Sequence, residues 1–167
     1  MSDRVFFVLQ GCLKYVPFNW AIALRALLYA PFFRSFGKGV VIHDNVLFKY
    51  PSDISVGSNA HFGSGAVIVG KGGLAIGSDV LVGHGSKIVT TKHNFERTDI
   101  PIRLQGISSS PVSIGNDVWL GFDVVILDGS NIGDGCVLAA GAVAKGDFAK
   151  RSIVAGVPAT IIRRRGA

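Results

Sequence analysis

Histidines are the residues of this sequence best suited to acid–base chemistry, because an imidazole can gain or lose a proton near neutral pH. Of the four histidines, His93 has the most informative position. It closes a regularly patterned segment, and residues 94–107, which follow it, lack that pattern. A general base at the edge of a cleft would lie in such a place, and so would a solvated loop histidine. The residues alone leave both interpretations open.

The other three histidines, His43, His61 and His84, lie inside patterned segments, and we expect them either to be structural or to line the same cleft. Their spacings of 18, 23 and 9 residues, counted with His93, are not those of metal ligands, and no close His, Cys or Asp pair supports a site, so no metal site is predicted. Nucleophilic catalysis is not indicated either. Cys136 occupies a position that small residues fill in neighbouring segments, and Cys12 has no histidine near it in sequence.

A repeat of six residues defines the elements that must position these side chains. From Ile114 the hexads run IGNDVW, LGFDVV, ILDGSN, IGDGCV, LAAGAV and AKGDFA. Five of the six first residues are bulky aliphatics. The residues at the fifth positions are mostly small or β-branched, and the fifth position of the last hexad is Phe148. Neither a helix nor a simple strand has this period, but a short strand plus a turn does. Three such units close a triangular coil, so the pattern from Phe36 to Ala149 predicts an all-β fold, a parallel β-helix of about five coils.

Three interruptions of the repeat predict where the solenoid departs from regularity. Two slips of two residues, at 54–55 and around 71–73, are typical of corner adjustments. The third is larger, because the chain from Ile88 to Ile114 spans four hexads plus two residues, and removing 94–107 restores the register. A loop is therefore predicted to leave the coil directly after His93. Long loops inside a rigid fold often carry function.

Three ordered segments of the chain resemble the maltose/galactoside O-acetyltransferase branch of the hexapeptide acyltransferases and the related polysaccharide O-acetyltransferases. They are TTKHNF before the loop, VWLG after it and AGVPA near the end, within a similarity that covers residues 36–165. The resemblance implies a left-handed β-helix, acetyl-CoA as cosubstrate, and homotrimers with each active site between two subunits. It also implies that His93 is the catalytic general base and that Trp119 lies beside acetyl-CoA and the acceptor.

The resemblance assigns further residues through the positions that match. His61 and His84, which are expected to line the cleft, are predicted to bind the substrate together with Trp119. Acetyl-CoA would contact Trp119, Gly121, Phe122, Ala139, Ala140, Lys145 and Arg163, the last two at its phosphates. The sequence departs from the family at two places: Lys145-Gly146 replaces the usual Thr-Lys, and Gly63 stands where the galactoside and maltose enzymes have a sugar-binding asparagine. A small galactoside or maltose is therefore not the favoured acceptor.

The first 35 residues form a separate segment, rich in aromatic and basic residues and almost free of acidic ones. Pro17 and Pro31 should break it into two short helical pieces. Its composition is typical of an interfacial helix on an anionic membrane surface, while a helical cap over the open first coil would bury its apolar face equally well. The chain is thus predicted to comprise residues 1–35, a helical cap or interfacial segment, and residues 36–167, a β-helix domain with loop 94–107 and a C-terminal basic tail.

Composition limits the remaining alternatives. The 167 residues suit one core, and a hydrophobic content of 49% with 17% charged residues argues against disorder. The net charge is +6, but no basic stripe is interleaved with exposed aromatics, so nucleic acid is not a predicted partner. Two cysteines in unlike settings favour a reducing compartment, and neither a signal peptide nor a membrane-spanning run is found. We therefore expect a cytoplasmic protein, with peripheral contact at the inner membrane face as an option.

The predicted function is acetyl-CoA-dependent O-acetyl transfer to the hydroxyl of a carbohydrate or lipid-linked sugar, in surface polysaccharide biosynthesis. Two alternatives stay open at this point. One is a xenobiotic acetyltransferase of the antibiotic-inactivating branch, and the other is a non-catalytic β-helix scaffold, which would not bind CoA.

Overall fold

The hexads fold into short strands joined by tight turns, and three strands close each coil of a parallel β-helix. The computed structural model describes residues 3–166. The first three coils are β1 (Ser35–Phe36), β2 (Val41–Ile42), β3 (Leu47–Lys49), β4 (Ile54–Val56), β5 (His61–Phe62), β6 (Val67–Val69), β7 (Leu74–Ile76), β8 (Leu81–Val82) and β9 (Lys87–Val89). An excursion follows, formed by β10 (Thr91–His93) and β11 (Ile107–Ser109). The later coils are β12 (Val112–Ile114), β13 (Trp119–Leu120), β14 (Val125–Ile126), β15 (Asn131–Ile132), β16 (Val137–Leu138), β17 (Val143–Ala144), β18 (Asp147–Phe148) and β19 (Ser152–Gly156).

Strands at the same place in successive coils pair in parallel, so the solenoid has three sheets. Sheet A runs β1-β4-β7-β12-β15-β18, sheet B runs β2-β5-β8-β13-β16-β19, and sheet C runs β3-β6-β9-β14-β17. A last strand, β20 (Ala159–Arg164), turns back and pairs antiparallel with β19 at the edge of sheet B. The segment predicted as a basic tail is therefore a strand as far as Arg164, because it pairs the backbone groups that β19 would otherwise leave open at the edge.

The first residue of each hexad points inward and stacks on its equivalents. Ile114 is in register with Ile132, and both are at most 3% exposed. Such columns form one continuous apolar core, as the hexads predict. Phe148 departs from the prediction, because it lies in register with Ile132 in the first-position column instead of at a fifth position. The reason is a short corner after β17, because Phe148 follows Ala144 by only four positions, whereas the first residues of successive hexads are six positions apart.

The lengths of the coils confirm two slips of two residues, but the first lies just before residues 54–55, because these already belong to β4. In the early coils equivalent residues are 20 apart, as for Phe48 and Ile68. After the excursion they are 18 apart, as for Ile114 and Ile132, and then 16 apart across the short corner before Phe148. The two additional residues lie at the corner between sheets C and A. They are accommodated by a short 3-10 helix at Pro51–Asp53 and, one coil later, by Gly72 and Gly73, whose φ angles of +86° and +116° favour glycine.

The large interruption is a hairpin that leaves the same corner between sheets C and A. Its strands β10 and β11 pair antiparallel, with His93 opposite Ile107. The excursion thus begins at Thr91, three residues earlier than predicted, since His93 already belongs to the hairpin and does not close a coil. Thr90 fixes the exit, because its buried hydroxyl donates to the carbonyl oxygens of Val69 and Lys71 at 3.0 and 2.6 Å.

The N-terminal segment forms two helices, α1 (Asp3–Leu13) and α2 (Asn19–Tyr29), followed by a 3-10 helix at Ala30–Phe32. The breaks fall at Pro17 and Pro31, as predicted. Both helices pack over the first coil, where Gln10 and Arg25 bond to its backbone. Across residues 3–166, no helix is both long and apolar enough to span a bilayer.

Candidate active site

Sheet B carries a row of outward side chains that alternates with the inward column. Parallel pairing places His61, Leu81, Trp119, Val137 and Ile153 at equivalent positions of five successive coils, and Arg163 of β20 pairs with Ile153. Trp119 is 52% exposed and lies in a groove of about 540 Å³. This row therefore brings together three of the predicted residues, His61, Trp119 and Arg163, on one face.

Leu81, Val137 and Arg165 also line the groove around Trp119, and sequence analysis did not single them out. Leu81 and Val137 occupy the same outward position as Trp119 one coil before and one coil after it, so the hexad register contained the signal that could have found them. Arg165 could not be found in this way. It is held at the groove by Asp117, whose carboxylate lies 2.8 Å from its guanidinium.

The corner between sheets B and C holds a second group of predicted residues: His84, Gly121, Phe122, Ala139 and Ala140. The rings of His84 and Phe122 are stacked, with centroids 5.1 Å apart and planes inclined by 21°. Gly121 is required here, because a Cβ atom would lie 2.7 Å from the backbone nitrogen of Ala140. The small residues leave this corner as a shallow apolar edge that a slender ligand arm could follow.

His43 extends that corner toward the first coil, with its ring 6.0 Å from the ring of His84. Burial lowers the pKa of His43, and the neighbouring imidazoles of His84 and His61 lower it further. Asp44 beside it accepts a hydrogen bond of 2.7 Å from the hydroxyl of Ser64, which lowers the pKa of the carboxyl group. His43 therefore favours the neutral form.

His93 lies elsewhere, exposed on the hairpin. Beyond it the hairpin is held together by Gln105, whose side chain accepts from the backbone nitrogen of Arg97 at 3.0 Å and donates to the carbonyl oxygen of Ile100 at 3.1 Å. The outer surface of the hairpin is apolar and more than half exposed at Phe95, Ile102, Leu104 and Ile107. An ordered hairpin with such a surface is suited to contact another protein surface.

One chain does not bring all the predicted residues into one site. The hairpin with His93 leaves the corner between sheets C and A, whereas Trp119 lies on sheet B, which is the opposite side of a triangular prism. Lys145 is also at the corner between sheets C and A, 3.3 Å from Asp128, and is thus separated from Arg163 on the sheet B side. The candidate residues form two surfaces, one with His93 and Lys145 and one with Trp119 and Arg163.

Catalysis by a cysteine nucleophile or by a bound metal ion has less support in the described residues. Cys136 is fully buried, and burial raises the pKa of its thiol, so it is a small core residue as predicted. Within the described residues, no three His, Cys, Asp or Glu side chains are grouped so that they could hold a metal ion.

Comparisons with known proteins find relatives over most of the chain. Residues 111–146 match the bacterial transferase hexapeptide family (six repeats). The galactoside O-acetyltransferase of Escherichia coli (strain K12) is 33% identical over 140 residues, which are 83% of this chain and 68% of that protein. WcaF of the same strain, named as a colanic acid biosynthesis acetyltransferase, is 30% identical over 150 residues, which are 90% of this chain and 78% of that protein.

Similar solved structures include two acetyltransferases. A galactoside acetyltransferase in complex with coenzyme A superposes with a TM-score of 0.82 at 30% identity, over 90% of this chain and 74% of that one. A maltose O-acetyltransferase from Clostridium difficile 630 gives a TM-score of 0.84 at 27% identity, over 97% of this chain and 86% of that one. The chain spans only 43%, 68% and 63% of the lengths of three curated relatives that it matches.

Proposed function

Because this chain belongs to the hexapeptide-repeat acyltransferases, in the branch of the galactoside, maltose and polysaccharide O-acetyltransferases, we propose that it transfers an acetyl group from acetyl-CoA to a sugar hydroxyl. The predicted family and the predicted left-handed parallel β-helix with an N-terminal helical segment are confirmed by the same comparisons. The observation that carries the proposal is the match of 90% of this chain to a galactoside acetyltransferase in complex with coenzyme A.

In this proposal His93 is the general base. Its imidazole takes the proton of the acceptor hydroxyl while the hydroxyl oxygen attacks the thioester carbonyl carbon. The carbon–sulfur bond then breaks, the acetyl group stays on the acceptor oxygen, and CoA leaves as a thiol after taking up the proton. Backbone N–H groups along the cleft are suited to stabilise the oxyanion that forms between these steps. Exposure of His93 on an ordered hairpin supports this role, since a base must reach its substrate.

Trp119 and its neighbours would hold the cosubstrate. The pantetheine arm would follow the edge formed by Gly121, Phe122, Ala139 and Ala140, which is open because these side chains, Phe122 apart, are small or absent. Lys145 and Arg163 would meet the phosphates as cations. His61 and His84 would line the part of the site that binds the sugar acceptor.

The protein is proposed to act as a homotrimer with each active site between two subunits. The separation of His93 from Trp119 supports this arrangement, because only a second chain can bring the two surfaces together without refolding either of them. The exposed apolar residues of the hairpin support it as well. A hairpin that reaches a neighbour would bury them.

The proposed setting is surface polysaccharide biosynthesis in the cytoplasm, with a carbohydrate or lipid-linked sugar as acceptor and peripheral membrane contact through residues 1–35. The relation to WcaF supports a polysaccharide setting. The free cysteines Cys12 and Cys136 are compatible with a reducing compartment.

A first experiment measures CoA binding by thermal shift and thiol release from acetyl-CoA across acceptors. We expect CoA to raise the melting temperature and sugars to stimulate thiol release, with oligosaccharide or lipid-linked sugars better than free galactosides or maltose. Stimulation by an antibiotic alone would favour the xenobiotic alternative. Absence of any CoA-induced shift in the folded protein would favour a scaffold and contradict the proposal.

A further inference from the structure

Three rings lie in contact along the corner between sheets B and C, and we call them the ring row: His43, His84 and Phe122. His84 and Phe122 are stacked with their centroids 5.1 Å apart, and the ring of His43 lies 6.0 Å from that of His84. The three residues directly follow β2, β8 and β13, so the row runs from the first coil to the fourth. His84 is exposed, Phe122 is 59% exposed and His43 is half-buried. The row is therefore accessible to a ligand.

The contact between the two imidazoles depends on a glycine. His43 and His84 lie two coils apart, which separates their backbones by about 10 Å at the usual spacing of neighbouring strands. Gly63 takes the place of His43 in the coil between them, because its N–H donates to Val82 as the N–H of His43 donates to Phe62. A Cβ atom at Gly63 would lie 2.7 Å from the backbone nitrogen of His84. Without a side chain there, the two imidazoles can approach each other.

Polar groups at the first-coil end of the row complement these rings. The carboxylate of Asp44 accepts a hydrogen bond of 2.7 Å from the hydroxyl of Ser64, and this bond lowers the pKa of Asp44. His43 favours the neutral form, in which an imidazole has one donor and one acceptor nitrogen. A sugar has an apolar C–H face that packs on rings and hydroxyl groups that donate and accept hydrogen bonds. The ring row with Asp44 offers a partner to each of these groups.

The position of the row along the solenoid agrees with the proposed reaction. The edge proposed for the pantetheine arm begins at Gly121 in the fourth coil and continues away from the first coil. The hairpin with His93 leaves between the third and fourth coils. In the proposed trimer with parallel solenoids, His93 of a neighbour would thus lie at the level of Phe122. An acceptor that reacts at this level can continue only over His84 and His43.

We propose that the ring row and Asp44 bind the acceptor, and that this acceptor is a neutral sugar chain. The sugar that is acetylated lies near Phe122, and a further sugar of the chain lies against His43. The row is longer than a single sugar ring, because its successive centroids are 5.1 and 6.0 Å apart. The carboxylate of Asp44 disfavours a uronate at the same place. The inference rests on the proposed function for the acetyl donor and the trimer.

The experiment measures sugar binding to the full-length protein without acetyl-CoA, by calorimetry and by NMR of the imidazole C–H groups. The probes are linear galactohexaose and maltohexaose, the single sugars galactose and glucose, and hexagalacturonate as the charged counterpart of galactohexaose. We expect at least one neutral hexaose to bind about tenfold more tightly than its single sugar and to shift the signals of His43 and His84. Hexagalacturonate should bind more weakly than galactohexaose.

His43→Ala is the test variant, and it should bind the neutral hexaose about tenfold more weakly while binding of the single sugar stays unchanged. His43→Phe keeps a ring and should stay within about threefold of wild-type binding. Equal binding of the hexaose by wild-type protein and His43→Ala would overturn the proposal. So would the absence of binding of both neutral hexaoses, or tighter binding of hexagalacturonate.

Asp44→Asn tests the polar part of the site. It should weaken binding of the neutral hexaose severalfold, because hydrogen bonds to a carboxylate are stronger than those to an amide. The matched control is Asp53→Asn. Asp53 also accepts a hydrogen bond from the next coil, from the backbone nitrogen of Gly72 at 3.2 Å, but it lies at the corner between sheets C and A. The control should bind like wild-type protein, and thermal melting checks that all variants are folded.

Thiol release separates this inference from the proposed function. Hexaose binding that depends on His43, without any thiol release from acetyl-CoA, would contradict the proposed function and leave the binding site intact. Thiol release with a KM for the hexaose that is the same in wild-type protein and His43→Ala would overturn this inference and leave the proposed function intact. The predicted result is a KM about tenfold higher in His43→Ala, with kcat nearly unchanged.

Discussion

Gln10 and Arg25 form hydrogen bonds with the backbone of the first coil, as the strands of a neighbouring coil do elsewhere in the solenoid. The amide of Gln10 accepts from the backbone nitrogen of Phe48 at 2.8 Å and donates to its carbonyl oxygen at 3.2 Å, as a strand residue would. Arg25 donates from Nε to the carbonyl oxygen of Ile42 at 2.9 Å, and from Nη1 to two carbonyl oxygens between the helices. Each backbone group that would otherwise be buried without a partner costs about 1–3 kcal/mol. These contacts explain why two polar side chains are buried in an otherwise apolar segment.

Tyr29 gives a prediction at the same scale. Its side chain is fully buried, its hydroxyl has no hydrogen-bond partner among the described residues, and burial raises its pKa to about 12 from an ordinary value near 10. The unfolded chain therefore ionises first, and the free energy of unfolding should fall as the pH rises from about 10 to about 12. Tyr29→Phe removes the unpaired hydroxyl, so at neutral pH it should leave the free energy of unfolding unchanged or raise it by about 1 kcal/mol.

Urea unfolding at several pH values measures both effects, with the exposed Tyr15→Phe as the control. The decline above pH 10 should be smaller in Tyr29→Phe than in wild-type protein. A loss of more than about 1 kcal/mol at neutral pH would mean that the hydroxyl has a partner and that this description of Tyr29 is wrong.

At the scale of elements, the hexads predict strands, coils and the inward columns because each unit repeats the same local pattern. The hexads do not predict structural features that depend on pairing between distant segments. The base of the hairpin is one example, since Thr91 and His93 join it only by pairing with Ser109 and Ile107. The position of Phe148 is another, because the short corner before it is visible only once it pairs with Ile132. The candidate residues were found by their motifs, but their division between two surfaces follows from the coil geometry.

The hairpin should be dispensable for folding and required for activity. Replacing residues 94–106 by a two-residue Asn-Gly turn keeps His93 opposite Ile107 and suits a tight hairpin. Because the solenoid core lies entirely outside this segment, the melting temperature should change by only a few degrees. Thiol release should fall at least about tenfold, because the shortened hairpin keeps His93 but lacks the apolar tip that would hold it against the neighbouring subunit. Light scattering and circular dichroism check assembly and fold, and full activity of the shortened protein would exclude a role for the hairpin tip.

At the scale of the whole molecule, the candidate residues lie on different sides of one rigid prism. The groove around Trp119 is on sheet B, and the hairpin with His93 projects from the opposite corner. A solenoid cannot fold these surfaces onto each other, because each coil contacts only its neighbours. The proposed function therefore requires that a second chain complete the site.

The most direct test of this account combines two inactive variants. His93→Ala should bind CoA and lose at least about 100-fold in thiol release, as expected for loss of a general base. Trp119→Ala should also be inactive, because it lacks the ring beside the cosubstrate. If each site takes His93 from one chain and Trp119 from the next, every mixed trimer of the two variants has one intact site. The purified mixed trimers should therefore show about a third of wild-type activity.

Co-expression with two different tags and purification over both yields the mixed trimers for a thiol-release assay. Recovery of activity in the mixture, with each variant inactive alone, is the predicted result. Mixed trimers that stay as inactive as the separate variants, or a His93→Ala protein that keeps more than about a tenth of wild-type turnover, would contradict a shared site with His93 as its base.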